Sequence, residues 1–217
     1  MKKILFLFVL FAGWLPAQTS RTYNDYKKLN TVVKTNPLVL AWGVMPLTCE
    51  VRYLREVCTA GRQSLTFGFS YLGKNPIADS ILANGRGGYR PTVWIKGFRL
   101  MFGYRMYFSK DVKAPLGWYT GPWYSYSTAK YSYRNYWLRG AYVQGTQWNL
   151  DWVIGKQSRL GKRLCYDFFM GAGYKNNHWE YLSTYKVRGI NLDRIIGNNY
   201  YTSHFKIAAG LNFGWLF

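Results

Sequence analysis

This sequence predicts an all-β chain: an eight-stranded antiparallel up-and-down transmembrane β-barrel after a cleaved signal peptide. Three observations lead there. The stretch Phe205 to Phe217 alternates. Phe205, Ile207, Ala209, Leu211, Phe213, Trp215 and Phe217 are apolar, whereas Lys206, Ala208, Gly210, Asn212 and Gly214 are small or polar, with Leu216 the exception. Successive strand side chains point to opposite faces, so one face is greasy and aromatic and the other polar. The chain also begins with an export-type segment and contains no later apolar run long enough for a spanning helix. Alternating strands can then enter lipid only as a closed sheet, because lipid offers no partners to the backbone groups of an edge. Finally, aromatic residues make up 20% of the chain, which suits rings at two water–lipid boundaries.

The amino terminus reads as a secretory signal. Lys2 and Lys3 precede the apolar run Ile4 to Leu15, and Pro16-Ala17 breaks it before Gln18-Thr19-Ser20. Cleavage is expected after Ala17. A retained anchor is the alternative, but the run is shorter than the ~20 residues a spanning helix needs. Residues 18–35, with Arg21, Lys27, Lys28 and Lys34, form a periplasmic lead-in. Residues 36–217 form the barrel, a single domain.

Strand one is expected over Asn36 to Val44, with Leu38, Leu40, Trp42 and Val44 toward lipid and a tight turn at Met45-Pro46. Strand two, Leu47 to Arg55, sets Cys49, Val51 and Tyr53 on one face and Glu50 and Arg52 on the other. Thr59-Ala60-Gly61 is a turn. Strand three, Ser64 to Gly73, points Leu65, Phe67, Phe69 and Tyr71 outward. Strand four, Thr92 to Phe108, pairs an outer row from Phe98 to Phe108 with inner Arg99, Gly103 and Arg105. Strand five, Gly117 to Ser127, has aromatics on both faces, and Pro122 implies a bulge or an irregular ladder. Strand six, Gln147 to Gly155, faces Trp148, Leu150, Trp152 and Ile154 out and Asp151 in. Strand seven starts near Leu164 and faces Cys165, Asp167, Gly171 and Gly173 in. Strand eight closes the chain. Connections after strands two, four and six are short and those after three, five and seven are long, as expected for periplasmic turns and outer loops. The first outer connection, at Met45-Pro46, is the exception.

An eight-stranded barrel has room for side chains and little else. The inward charges Glu50, Arg52, Arg99, Arg105, Asp151, Asp167 and Lys206 should therefore pair into a filled, salt-bridged lumen, since an isolated buried charge costs several kcal/mol. A polar core that fixes register is the preferred role, over a gate or proton path. The net charge of +20, from 29 basic and 9 acidic residues, favours phosphorylated lipid headgroups or acidic glycans as partners. An exported chain rarely meets nucleic acid, so none is expected.

Catalytic and metal signatures are weak. Cys49, Cys58 and Cys165 have no metal-site spacing; they fill space, with a Cys58–Cys165 disulfide as the alternative. No cofactor is expected. Ser203 and His204 are neighbours on a strand and so point apart. His204 is expected on the inner face near the outer rim, with Asp193 in the preceding loop, and His178 lies in that loop beside Glu180. No triad emerges. The glycine-rich run 84–88 lacks the strand-to-helix context of a phosphate loop and reads as surface loop.

Two stretches suggest contacts beyond the membrane. Tyr131, Tyr133, Arg134 and Trp137 lie in one extension; Trp179, Tyr181, Tyr185 and Arg188 lie in another. Tyr, Trp and Arg are enriched at interfaces, and the same residues suit a boundary girdle touching lipopolysaccharide phosphates. The final aromatics Phe213, Trp215 and Phe217 resemble the carboxy-terminal signal of bacterial outer-membrane proteins, which implies recognition by the barrel assembly machinery.

The NPL opening strand one, Glu50 in strand two, GFRLMFGYRMYF in strand four and APLGWYTGPWYSY after it resemble small outer-membrane barrels of Bacteroidota, OmpA-like in their membrane part and of unknown function. The resemblance covers Asn36 to Phe217. It implies a bacterial outer-membrane location and a role as a stand-alone surface protein or an accessory subunit of a larger outer-membrane complex. No functional residues carry over. A lipid-modifying barrel enzyme and a small-solute pore are the alternatives.

Overall fold

The structure, a computed structural model, describes residues 30–36, 48–60, 62–75, 92–109, 114–134, 142–181 and 203–217. Eight antiparallel strands close into one barrel in sequence order: β1 (Thr31–Thr35), β2 (Thr48–Ala60), β3 (Gln63–Lys74), β4 (Thr92–Tyr107), β5 (Gly117–Arg134), β6 (Tyr142–Arg159), β7 (Leu164–Tyr181) and β8 (Phe205–Leu216). β1 completes the ring by pairing with both β2 and β8.

The register determines the shape. A row of directly paired residues runs Val33, Arg55, Phe67, Phe102, Tyr124, Leu150, Tyr174, Phe205. Since β8 meets β1 with Phe213 opposite Thr35 and Trp215 opposite Val33, the row returns to β1 ten positions past its start. A ten-residue stagger over eight strands, at ~3.3 Å per residue and ~4.8 Å between strands, tilts the strands by about 40°. That combination gives a narrow cylinder whose interior holds side chains only.

Large rings fit this interior by lying over glycine. Gly103 stands directly opposite Trp123, and Gly145 opposite Trp179. A Cβ at either glycine would collide with the facing indole. The β6–β7 turn contains Gly161 at φ 115°, a left-handed backbone suited to glycine.

The first strand departs from expectation. It is Thr31–Thr35, within the segment read as a lead-in, and Asn36 lies outside it; residues 37–44 of the expected strand are outside the described residues. The connection between β1 and β2 therefore spans the twelve residues 36–47 and is not short. The polar, basic look of 18–35 concealed the strand, because Lys34 is an inward residue and not a solvated one. Strands β5 and β6 also run beyond their expected ends, β7 reaches Tyr181 and so takes in the start of the stretch 175–200 expected as the longest loop, and β2 continues through the expected turn at Thr59-Ala60 to Ala60. Burial settles the parity of β5: Tyr119, Ser125, Ser127, Ala129 and Tyr131 are buried, whereas Trp118 and Tyr124 are exposed.

Candidate functional site, the barrel lumen

The polarity of this fold is inverted. The largest fully buried side chains include Arg99, Arg105, Lys34, Glu50 and Glu56. The outer face carries Phe67, Phe69, Leu100, Phe102, Trp152 and Ile207, with Ile207 66% exposed. All seven charges expected inside point into the lumen, and the structure groups them into two clusters at different depths.

The lower cluster, toward the short β2–β3 and β6–β7 turns, is a tetrad of two cations and two carboxylates. Lys34 pairs with Glu56 and, at 3.0 Å, with Asp167. Arg105 pairs with the same two acids at 3.3 and 3.0 Å. The remaining lone pairs are occupied: Ser64 Oγ and Tyr107 OH donate to Glu56, Tyr119 OH donates to Asp167 at 2.6 Å, and Asn212 Nδ2 donates to Asp167 at 3.1 Å. Gln157 Oε1 accepts from Lys34 and, at 3.3 Å, from Arg105. The Arg105 guanidinium also lies 4.1 Å above the Tyr119 ring. Charge balance and these hydrogen bonds offset much of the desolvation of the buried ions, with Arg105 Nε left without a partner.

The upper cluster holds Glu50 between Arg52 at 3.0 Å and Arg99 at 2.6 Å, with Lys206 on Asp151 at 2.6 Å. An apolar layer separates the clusters: Leu54, Met101 and Val153 are buried, and Trp123 and Phe169 pack against the group formed by Tyr107, Tyr119 and Val153. The cavity lined by Arg52, Leu54, Arg105, Tyr119 and Trp123 has room for on the order of one water molecule. Below the tetrad, Val32, Cys165 and Leu216 form an apolar plug.

Above the upper cluster the lumen holds neutral polar groups and one further buried cation, Lys175, directly opposite Asn149. Asn149 Nδ2 donates to Ser125 Oγ at 2.9 Å, and Gln147 Nε2 to Asn149 Oδ1 at 3.1 Å. Toward the long-loop end two rings meet. Tyr131 is buried and its ring centroid lies 5.7 Å from that of Trp179. The sequence places both on an outer contact surface; in the structure they occupy inward positions, because the alternation of β5 runs on to Arg134 and that of β7 to Tyr181. Tyr133 and Arg134 end β5, and Tyr181 ends β7. Trp137, Tyr185 and Arg188 lie outside the described residues. Phe213, Trp215 and Phe217 are exposed on the outer face.

Several catalytic candidates are relocated. His204 precedes β8 in a bend, so strand parity does not govern it. It is exposed, stacks on the outward Tyr174 with ring centroids 5.1 Å apart, and holds Nδ1 3.2 Å from the Lys175 carbonyl oxygen. It does not face the lumen. His178 is exposed and pairs with Glu180 at 3.3 Å. Asp193 lies outside the described residues. The three cysteines are free thiols, which corrects the alternative of a Cys58–Cys165 disulfide. Among the described residues no group of His, Cys, Asp or Glu could hold a metal.

No family model matches the chain, and neither a curated protein nor a solved structure aligns with it significantly.

Sequence reasoning missed Lys34, Glu56, Tyr107, Tyr119, Gln157 and Lys175, the last because it begins a stretch read as loop. Glu56 and Tyr107 were legible in principle: each continues the inward parity of a residue already assigned, Arg52 and Arg105 respectively. Lys34 and Gln157 fell in stretches read as lead-in and turn, where no parity was applied.

Proposed function

We propose that this chain is an integral outer-membrane β-barrel with a filled lumen and a structural or interaction role, as a surface protein or as an accessory subunit of a larger outer-membrane complex. One observation carries the reading: a closed ring of strands exposes its aromatic and aliphatic residues and buries its charges. Such a surface is unfavourable in water over an area far larger than the apolar patches of soluble monomers. In a bilayer it is favourable, since closed strands leave no backbone group unpaired in lipid. The apolar outer row of β4 from Phe98 to Phe108, tilted as derived above, covers about 25 Å along the barrel axis, the height of a typical outer-membrane apolar band.

The ion clusters act as fasteners. Each links strands distant in sequence, the lower one Lys34 to Asp167 and the upper one Arg99 to Glu50, so a register slip of one residue would turn these charges toward lipid. The exposed Phe213, Trp215 and Phe217 are the groups offered to the barrel assembly machinery. The resemblance to small Bacteroidota barrels agrees with this role. Fractionation of cells expressing the chain, with cold SDS gels run with and without heating, tests the reading. The expected outcome is recovery in the outer-membrane fraction with a heat-dependent mobility shift. A freely soluble chain with no such shift refutes it.

A further inference from the structure

Four of the five acids among the described residues, Glu50, Glu56, Asp151 and Asp167, are inside the barrel. Among the described residues the outer surface is thereby left cationic, and at one place two cations oppose each other. Lys96 on β4 and Lys130 on β5 are directly paired in register. Both are exposed on the outer face, while the alternating neighbours Ile95 and Ala129 are buried. Directly opposed side chains on one face have Cβ atoms ~5 Å apart, and like charges in that arrangement repel.

Nothing described nearby neutralises them. The next outward residue along the row is Gln144 on β6, and Glu180 on β7 is two strands from Lys130 and engaged with His178. Lys130 Nζ is held 3.5 Å from the centroid of the Tyr142 ring, which keeps its ammonium at the surface. The level is specific. Lys96 lies two residues beyond Phe98, the end of the apolar outer row of β4, and two before the exposed Trp94. At the tilt derived above, it stands about 5 Å past the apolar edge, in the headgroup layer. At the opposite end Lys156 has no such partner: it faces Trp118 on β5 and Phe168 on β7.

We infer that Lys96 and Lys130 form a site for the phosphate of an anionic lipid headgroup in the leaflet on the long-loop side. The inference rests on the membrane reading above. Two ammonium groups converging on one phosphate turn a repulsive pair into two charge-assisted contacts, and Tyr142 and Trp94 flank the headgroup.

The test uses the full mature chain in nanodiscs of phosphatidylcholine, alone or with phosphorylated lipid A, with lipid A stripped of its phosphates, or with inorganic phosphate in the buffer. The heat-modifiable band reports the unfolding temperature, and native mass spectrometry reports bound lipid. Phosphorylated lipid A should raise the unfolding temperature and give an adduct, while the dephosphorylated lipid and inorganic phosphate should do neither. In K96Q/K130Q the adduct should fall about tenfold, and K156Q should leave it intact. In phosphatidylcholine alone, K96Q/K130Q should be at least as stable as the parent, because the like-charge opposition is gone. An adduct that survives in K96Q/K130Q, is lost in K156Q, or forms equally with dephosphorylated lipid or inorganic phosphate overturns the inference. So does a double variant destabilised equally in every bilayer. A parent chain that never inserts into a nanodisc overturns the membrane reading instead.

Discussion

Replacing Glu56 by Gln removes one of the two carboxylates that hold Lys34 and Arg105, leaving Asp167 alone between two buried cations. Glu56 is fully buried and accepts from Ser64 and Tyr107 while pairing with Lys34 and Arg105. Gln keeps the volume and one acceptor oxygen, so the change reads charge more than shape. Breaking a buried pair by removing one partner costs about 3–5 kcal/mol, because the remaining charge is uncompensated. With a urea dependence of ~1–3 kcal/mol per molar, the midpoint should fall by at least ~1 M. Adding Lys34→Met restores neutrality, since Arg105 and Asp167 still meet at 3.0 Å. The double variant should therefore regain stability, with a coupling of about 1–3 kcal/mol between the two sites. The assay is a urea titration in detergent micelles, read as the folded fraction on unheated SDS gels. If E56Q lies within ~0.5 kcal/mol of the parent, or if the double variant costs the sum of the singles, the tetrad is not a cooperative ionic fastener.

Leu150→Arg places a charge in the middle of the outer band of β6, where Leu150 is 51% exposed; in bilayers it should cost ~2–4 kcal/mol, whereas a barrel living in water would tolerate it, so unchanged stability in lipid vesicles contradicts the membrane reading. Gly103→Val drives a branched side chain into the Trp123 ring opposite it and should cost ~1–3 kcal/mol by overpacking, measured by the same urea titration; no loss would mean that the indole does not lie there. The purified barrel should show no steady conductance in planar bilayers, because the apolar layer between the ion clusters leaves space for on the order of one water molecule. Large stable openings would refute the filled lumen.

How much was legible follows from where alternation is clean. In β3, β4, β6 and β8 the two faces differ sharply in polarity, and their inward and outward residues were readable one by one. β5 has aromatics on both faces, so its parity emerged only from burial against neighbouring strands. Tyr131 and Trp179 looked like surface groups because aromatics next to basic residues suit an interface equally well. Their inward orientation depends on the strands continuing to Arg134 and Tyr181, which no local signal marks. Lys34 was illegible for a similar reason: a five-residue strand in a basic segment has too few apolar positions to declare itself.

The sequence by itself determined the strand number, the inside-out polarity and most of the charges that had to be buried, since all three follow from a two-residue period and from the cost of leaving strand edges and inward charges unpaired. Only the tertiary structure decided which charge meets which. The ten-residue stagger brings Lys34, Glu56, Arg105, Gln157 and Asp167 to one depth from five different strands, and it sets Lys96 opposite Lys130. Such meetings are properties of register and closure, and no single strand contains them.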